Sequence, residues 1–82
     1  MMLTELSDSK KKVIGTKQTL NVIVNGKAKK VYLANDVDQH IIDKIIQVSK
    51  ENNVSIETVE SKLKLGRACG IDVAAACAAL LK

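Results

Sequence analysis

The clearest hydrophobic pattern lies between Asp38 and Asn52. Ile41, Ile42, Ile45, Ile46 and Ser49 form one stripe at helical spacing, with Asp43, Lys44 and Lys50 opposite, which predicts an amphipathic helix over 41–49. Asp38, last in the turn Asn35-Asp36-Val37-Asp38, is placed to cap that helix, and Asn52-Asn53 to stop it. Before the turn, the unbroken apolar run Val31-Tyr32-Leu33-Ala34 predicts a buried strand. After the helix, Val54-Ser55-Ile56 predicts another. Val59-Glu60-Ser61-Lys62 then reads as a loop whose Ser61 can cap a short helix. On that helix Leu65, Ala68 and Cys69 face inward, and Gly70 ends it.

Two segments admit two readings. Between Thr19 and Asn35, the residues Leu20, Val22 and Val24 alternate, and Asn25-Gly26 is a strong hairpin turn. Alternatively, Leu20, Ile23 and Val24 share a helical face, Thr16 caps its start, and Asn25-Gly26 is a left-handed stop. Periodicity fits both, with the hairpin slightly preferred. The tail from Ile71 to Leu81 is alanine-rich, so propensity alone favours a helix. Strands alternating with helices, however, predict an α/β sandwich on one central sheet, and a helical tail leaves that sheet a strand short. Val73–Leu81 is therefore expected to be a buried strand. Val13-Ile14 before Gly15 predicts a very short strand, and residues 3–12 a polar N-terminal helix or frayed arm (1–11 in the domain assignment). With no repeat and no linker, residues 1–82 are expected to form a single domain.

Composition sharpens this picture. The chain is 46% hydrophobic, yet it has no Trp and no Phe, and Tyr32 is its one aromatic residue, so the core must be aliphatic. Without proline, helices must end at glycine, at asparagine or by tertiary demand. Thirteen basic residues against nine acidic give +4, which favours a phosphate-bearing partner without specifying one. Cys69 and Cys77 lie among small apolar residues. His40 is their only soft companion, so buried inert thiols are expected, with no metal site and no cofactor. Met1 to Glu5 does not resemble a signal peptide, and the run Val73–Leu81 is too short to span a membrane. A cytoplasmic location without a membrane partner is the expectation.

Catalytic groups are poorly supplied, and no enzyme activity is expected. His40 stands alone, Asp36 and Asp38 are explained by turn and cap use, and the segment Gly15-Thr16-Lys17-Gln18-Thr19 lacks the earlier glycine of a phosphate loop. Nucleic-acid binding fits better. A single Tyr32 in an expected buried strand argues against a base-stacking platform and favours recognition by a helix start. There, glycine allows close backbone approach, free N–H groups attract phosphate, Lys17 adds charge and the Gln18 amide can meet a base edge. Arg67 offers a planar fork to a further phosphate.

Taken in order, Gly15-Thr16-Lys17-Gln18-Thr19, Asn25-Gly26, Val31-Tyr32-Leu33-Ala34-Asn35-Asp36 and Leu65-Gly66-Arg67-Ala68-Cys69-Gly70-Ile71 resemble the ribosomal protein L7Ae family of kink-turn RNA binders, in particular its short bacterial ribosomal-protein-like branch. The likeness runs from about Lys12 to Lys82. It implies a three-layer α-β-α sandwich around a mixed four-stranded sheet, with a helix over Thr16–Asn25 and a C-terminal strand. It also implies a ligand, an RNA duplex bent by a short bulge beside tandem sheared G·A pairs. The partner would be ribosomal RNA or a structured messenger leader, bound by a monomer. By position, Lys17 and Gln18 would read the sheared guanines, while Gly15 and Thr16 offer backbone contacts. Val59, Glu60, Ser61 and Lys62 would pack on the bulged nucleotide, and Arg67 would hold phosphate.

Three positions depart from the family pattern. Asn21 stands where a lysine is usual, Asn25 where a basic residue precedes the helix-ending glycine, and Gln39 in place of proline. The first two remove positive charge, and Glu60 adds a negative one. An alternative follows from these losses: a protein-interaction module on the same scaffold with weakened RNA affinity.

Overall fold

The computed structural model describes residues 12–71 and 73–82. Chain order among them is β1 (Lys12–Ile14), α1 (Thr16–Val24), β2 (Ala28–Ala34), α2 (Gln39–Glu51), β3 (Ser55–Val59), α3 (Lys62–Ala68) and β4 (Cys77–Leu81). The strands form one mixed sheet in the order β1-β4-β2-β3. β4 runs antiparallel to both β1 and β2, whereas β2 and β3 are parallel. Side chains alternate across this sheet and build two cores. Tyr32, Ala34, Val59, Ala78 and Leu80 meet Leu65 and Cys69 of the α3 side. Val31, Leu33, Cys77 and Ala79 meet Ile23 of α1 and Ile45 of α2 on the other. The result is the three-layer α-β-α sandwich.

Among the described residues, α1, α2 and α3 end in the same way. At each, the residue after the cap has positive φ, namely Gly26 at 71°, Asn53 at 57° and Gly70 at 83°. Paired bonds close the turn: Gly26 N–H to Ile23 and Lys27 N–H to Val22 in α1, Asn53 to Lys50 and Val54 to Ser49 in α2, Gly70 to Arg67 and Ile71 to Gly66 in α3. This is the Schellman arrangement, in which a left-handed residue lets two otherwise orphaned carbonyls find donors. It replaces proline as the stop signal.

Several expectations are corrected. The 19–35 segment is not a hairpin: Thr19 and Ile23 are buried on one helical face of α1, and Asn25-Gly26 ends that helix. Its N-cap is Gly15, with no side-chain bond, rather than Thr16. Asp38 occupies the N-cap of α2 but makes no capping bond there, and the helix runs from Gln39 to Glu51, longer at both ends than 41–49. The strand after it is Ser55–Val59 rather than 54–56, so Val59 is not in a loop. The last strand starts at Cys77, not Val73. Lys12 is in β1 rather than an N-terminal helix, and the rest of that expected helix lies outside the described residues.

β4 explains why propensity misleads at the tail. It lies between β1 and β2 and is covered on both faces, and Cys77, Ala78 and Ala79 have no exposure. Small side chains let helices approach from both sides, and the sheet's hydrogen bonding overrides the intrinsic preference of alanine.

The two cysteines are free and buried. Burial pushes both thiols up: at Cys69 the Lys12 charge offsets a part, and at Cys77 contacts with the Thr19 and Thr16 hydroxyls do. Folding thus retains thiol protons that the unfolded chain releases. This contribution is present below the ordinary thiol range and is lost as pH rises through the raised values. We expect both thiols to resist iodoacetamide in the native state and to react on unfolding. Metal analysis of protein purified without chelator should give far less than one equivalent. Rapid native labelling or stoichiometric metal would contradict this assignment.

Candidate nucleic-acid interface

β1, β2 and β3 end, and β4 begins, along one edge of the sheet. This is the edge beyond the carboxyl ends of the parallel strands, where open α/β sheets commonly place ligands. Four hydrogen bonds gather the surrounding loops. Gly15 N–H donates to the Cys77 carbonyl at 2.8 Å, Ala34 N–H to Ala76 at 2.9 Å, Asn35 N–H to Val59 at 2.8 Å, and Ala75 N–H to Lys62 at 3.0 Å. The start of α1, the turn into α3 and the segment from Val73 to Ala76 are thereby held together.

The α1 start is open. Gly15 sits at φ 109° and ψ 153°, a region essentially reserved for glycine, and supplies no side-chain cap. Among the described residues, nothing accepts from the N–H groups of Thr16, Lys17 and Gln18. No acidic residue lies in that turn, so the positive end of the helix dipole is uncompensated. Lys17, Gln18 and Asn21 are exposed, and at helical spacing Asn21 falls one turn beyond Lys17 and Gln18 on the same ridge. Thr16 is half-buried. Its hydroxyl accepts from the Cys77 thiol at 3.7 Å and so faces the sheet.

The turn into α3 is built differently from the simple loop expected. Val59 is the last residue of β3 with its side chain in the core, so only Glu60, Ser61 and Lys62 present side chains here. Ser61 caps α3, its hydroxyl accepting from Lys64 N–H at 3.1 Å. Asp36 reaches across from the β2–α2 turn and accepts Lys62 N–H at 2.7 Å. Its carboxylate caps α3 rather than its own helix, which is the use the sequence did not disclose. Glu60 pairs with Lys64 at 3.0 Å, an exposed contact that partly offsets the negative charge it brings to this face. Arg67 is exposed near the end of α3.

Gly66 precedes Arg67 and explains why the α3 segment carries a glycine inside a helix. A Cβ at that position would overlap the Val73 carbonyl, so α3 and the 73–74 backbone touch directly. Val73 is consequently held at the edge with 66% of its surface exposed. The sequence reading missed Val73 because it absorbed this residue into the tail strand. A glycine that costs helix stability at position 66 was the available signal of a close approach.

Comparison with known proteins matches residues 2–82 to the ribosomal protein L7Ae/L30e/S12e/Gadd45 family. The chain belongs to this family. Among its relatives, an RNA-binding protein of Geobacillus sp. (strain WCH70) is 47% identical over 72 residues, covering 88% of each chain. The RNA-binding protein YbxF of Geobacillus stearothermophilus is 46% identical over 70 residues, or 85% of each. Among solved structures, the Giardia lamblia 15.5kD RNA binding protein superposes with a TM-score of 0.87 at 26% identity, over 99% of this chain and 68% of the other. This member of the L7Ae family thus shares its sheet and helices with a distant relative. No helix among the described residues is long and apolar enough to cross a membrane.

Proposed function

We propose that this chain binds RNA, and that its preferred target is a duplex kinked by a short bulge beside tandem sheared G·A pairs, in ribosomal RNA or a structured messenger leader. The observation that carries the proposal is the uncapped, acid-free start of α1, with exposed Lys17 and Gln18, standing beside the 60–62 turn and Val73. Relatives at nearly half identity that are RNA-binding proteins support the ligand class.

Physical chemistry favours a distorted duplex over a regular one. A helix with its side chains is about 10–12 Å across, and the major groove of A-form RNA is too deep and narrow for side chains to read. Single-strand recognition would call for stacking aromatics, and the one aromatic ring, Tyr32, has no exposure. A helix start flanked by two loops suits a groove opened by a bend. Thr16, Lys17 and Gln18 would present backbone N–H groups to phosphate, with Gly15 allowing the close approach, and the Gln18 side-chain amide would meet base edges. Val73, with Glu60, Ser61 and Lys62 close by, would lie against an extruded nucleotide. Arg67 would neutralise phosphate from the α3 side.

These roles separate by salt. Gln18→Ala should weaken binding by about 1–3 kcal/mol with little change in salt dependence, because an amide meets bases rather than displacing counterions. Arg67→Ala should flatten the log–log salt slope by roughly one unit or less. Fluorescence titrations at several salt concentrations measure both. Unchanged affinity in Gln18→Ala would remove the base contact from the account.

A further inference from the structure

A groove of about 340 Å³ runs between α1 and α2, lined by Lys17, Leu20, Asn21 and Val24 on one wall and Lys44 and Val48 on the other. Among the described residues, no carboxylate lines it beside its two cations. Asp43, next to Lys44 in sequence, is engaged by Gln39 Nε2 at 2.9 Å, and neither Lys17 nor Lys44 forms an ion pair with a described residue. Its floor is apolar, and Val24 remains 58% exposed.

We propose that this groove takes a stretch of RNA sugar-phosphate backbone beyond the part met by the α1 start, with Lys44 as the phosphate contact on its second wall. The inference rests on the RNA-binding reading above and extends its footprint to a helix that the reading does not use. Continuity supports it: Lys17 and Asn21 belong both to the proposed interface and to the groove, which continues for about 10 Å along α1 at 1.5 Å per residue. Charge supports it as well. Two lysines on opposite walls, neither in an ion pair with a described residue, favour an anionic occupant, whereas the apolar residues Leu20, Val24 and Val48 between the walls suit the C–H surface of riboses. Asn21 lines the groove together with the two lysines and carries no charge of its own, so Lys44 would supply from α2 the positive charge that α1 lacks at position 21.

Lys44 is exposed, so Lys44→Gln should leave the thermal melt unchanged while removing one charge. Kink-turn RNA is titrated with the wild type, Lys44→Gln, Lys50→Gln and Gln18→Ala between 50 and 200 mM salt. Lys50 sits on the same helix, turned away from the groove, and its substitution makes the same change in net charge. Lys44→Gln should bind more weakly at low salt. Across that range it should also lose about three- to fourfold less affinity than the wild type, which is roughly one unit of slope. Lys50→Gln should show a clearly smaller change. Equal effects of the two substitutions, or none from Lys44→Gln, would overturn the groove contact. If Gln18→Ala still weakens binding in that case, the RNA-binding reading survives and only the groove fails. If the wild type itself does not bind, the broader reading fails first. Lys44→Gln that spares RNA binding but abolishes capture of an acidic peptide would assign the groove to protein and also overturn the proposal.

Discussion

Gly15→Ala is expected to weaken RNA binding by more than tenfold and to destabilise the fold by about 1–3 kcal/mol, the cost of holding a non-glycine residue in such a conformation. The two effects share one cause. At φ 109° and ψ 153° a side chain is strained whatever space surrounds it, and an added Cβ here would meet no atom within 4 Å. The penalty is therefore a backbone penalty that repacking cannot relieve. The chain can hold the conformation and lose stability, or turn the peptide and break the 2.8 Å bond from Gly15 N–H to Cys77 that fixes the helix start against β4. In the second case the N–H groups of Thr16, Lys17 and Gln18 would lose the shared direction that the proposed phosphate contact requires. Gly26→Ala is the control. It also places alanine at positive φ, 71°, at a cost of about 1–2 kcal/mol, but at the far end of α1. It should lower the melting temperature and leave RNA affinity within about twofold, since it alters no proposed contact. Equal loss of affinity in the two variants would mean that only general stability was measured.

Gly66→Ala should also be costly, against the usual trend for a glycine inside a helix. Alanine gains about 1 kcal/mol of helix propensity there. The added methyl would, however, overlap the Val73 carbonyl, and a backbone obstacle cannot swing aside as a side chain can. Overpacking of this kind typically costs ~1–3 kcal/mol, so we expect it to win. Because the 73–76 segment is tied to Lys62 and to β2, moving it should also shift Val73 away from the α1 start. The expected readout is a lower melting temperature, by roughly 4–8 °C per kcal/mol of net loss for a domain of this size, together with weaker RNA binding. A variant as stable as the parent would show that α3 can retreat from the 73–74 backbone at no cost.

These two glycines mark where the sequence was legible and where it was not. The α2 stripe left no second periodic reading, so the helix was found, and only its ends were misplaced. Glycine and asparagine as helix stops followed from the missing proline, and Gly26, Asn53 and Gly70 fill that role. The α1 segment was ambiguous because Leu20 to Val24 satisfies both a two-residue and a helical period. Burial of Thr19 and Ile23 against the sheet decides it, a tertiary fact no local pattern contains. Resemblance to the family pointed the right way there, and to the C-terminal strand, where propensity pointed to a helix.

Long-range contacts account for the rest. Asp36 caps a helix 26 residues further on, and nothing near it in sequence indicates that use. Val73 lies outside β4 because Ala75 N–H is taken by Lys62 before the ladder begins. The local pattern places Val59 in a loop, whereas its parallel pairing with Ala34, a contact with a distant strand, extends β3 to that residue. The structure places Gly15, Lys17 and Gln18 together at the open start of α1, a grouping that is visible in the sequence because the three are near neighbours. The convergence of the 60–62 turn and Val73 on the same edge is not visible there, because it depends on contacts between distant segments.

The central claim is that this protein recognises the shape of a kinked RNA duplex, and it is tested most directly by titrating two RNAs of equal length and charge. One carries a three-nucleotide bulge beside tandem sheared G·A pairs. In the other, both pairs are replaced by Watson–Crick pairs. With no stacking aromatics, and a helix that cannot enter a regular A-form major groove, the account predicts that the substituted duplex binds more than tenfold more weakly at the same salt concentration. Equal affinity for the two duplexes would contradict it.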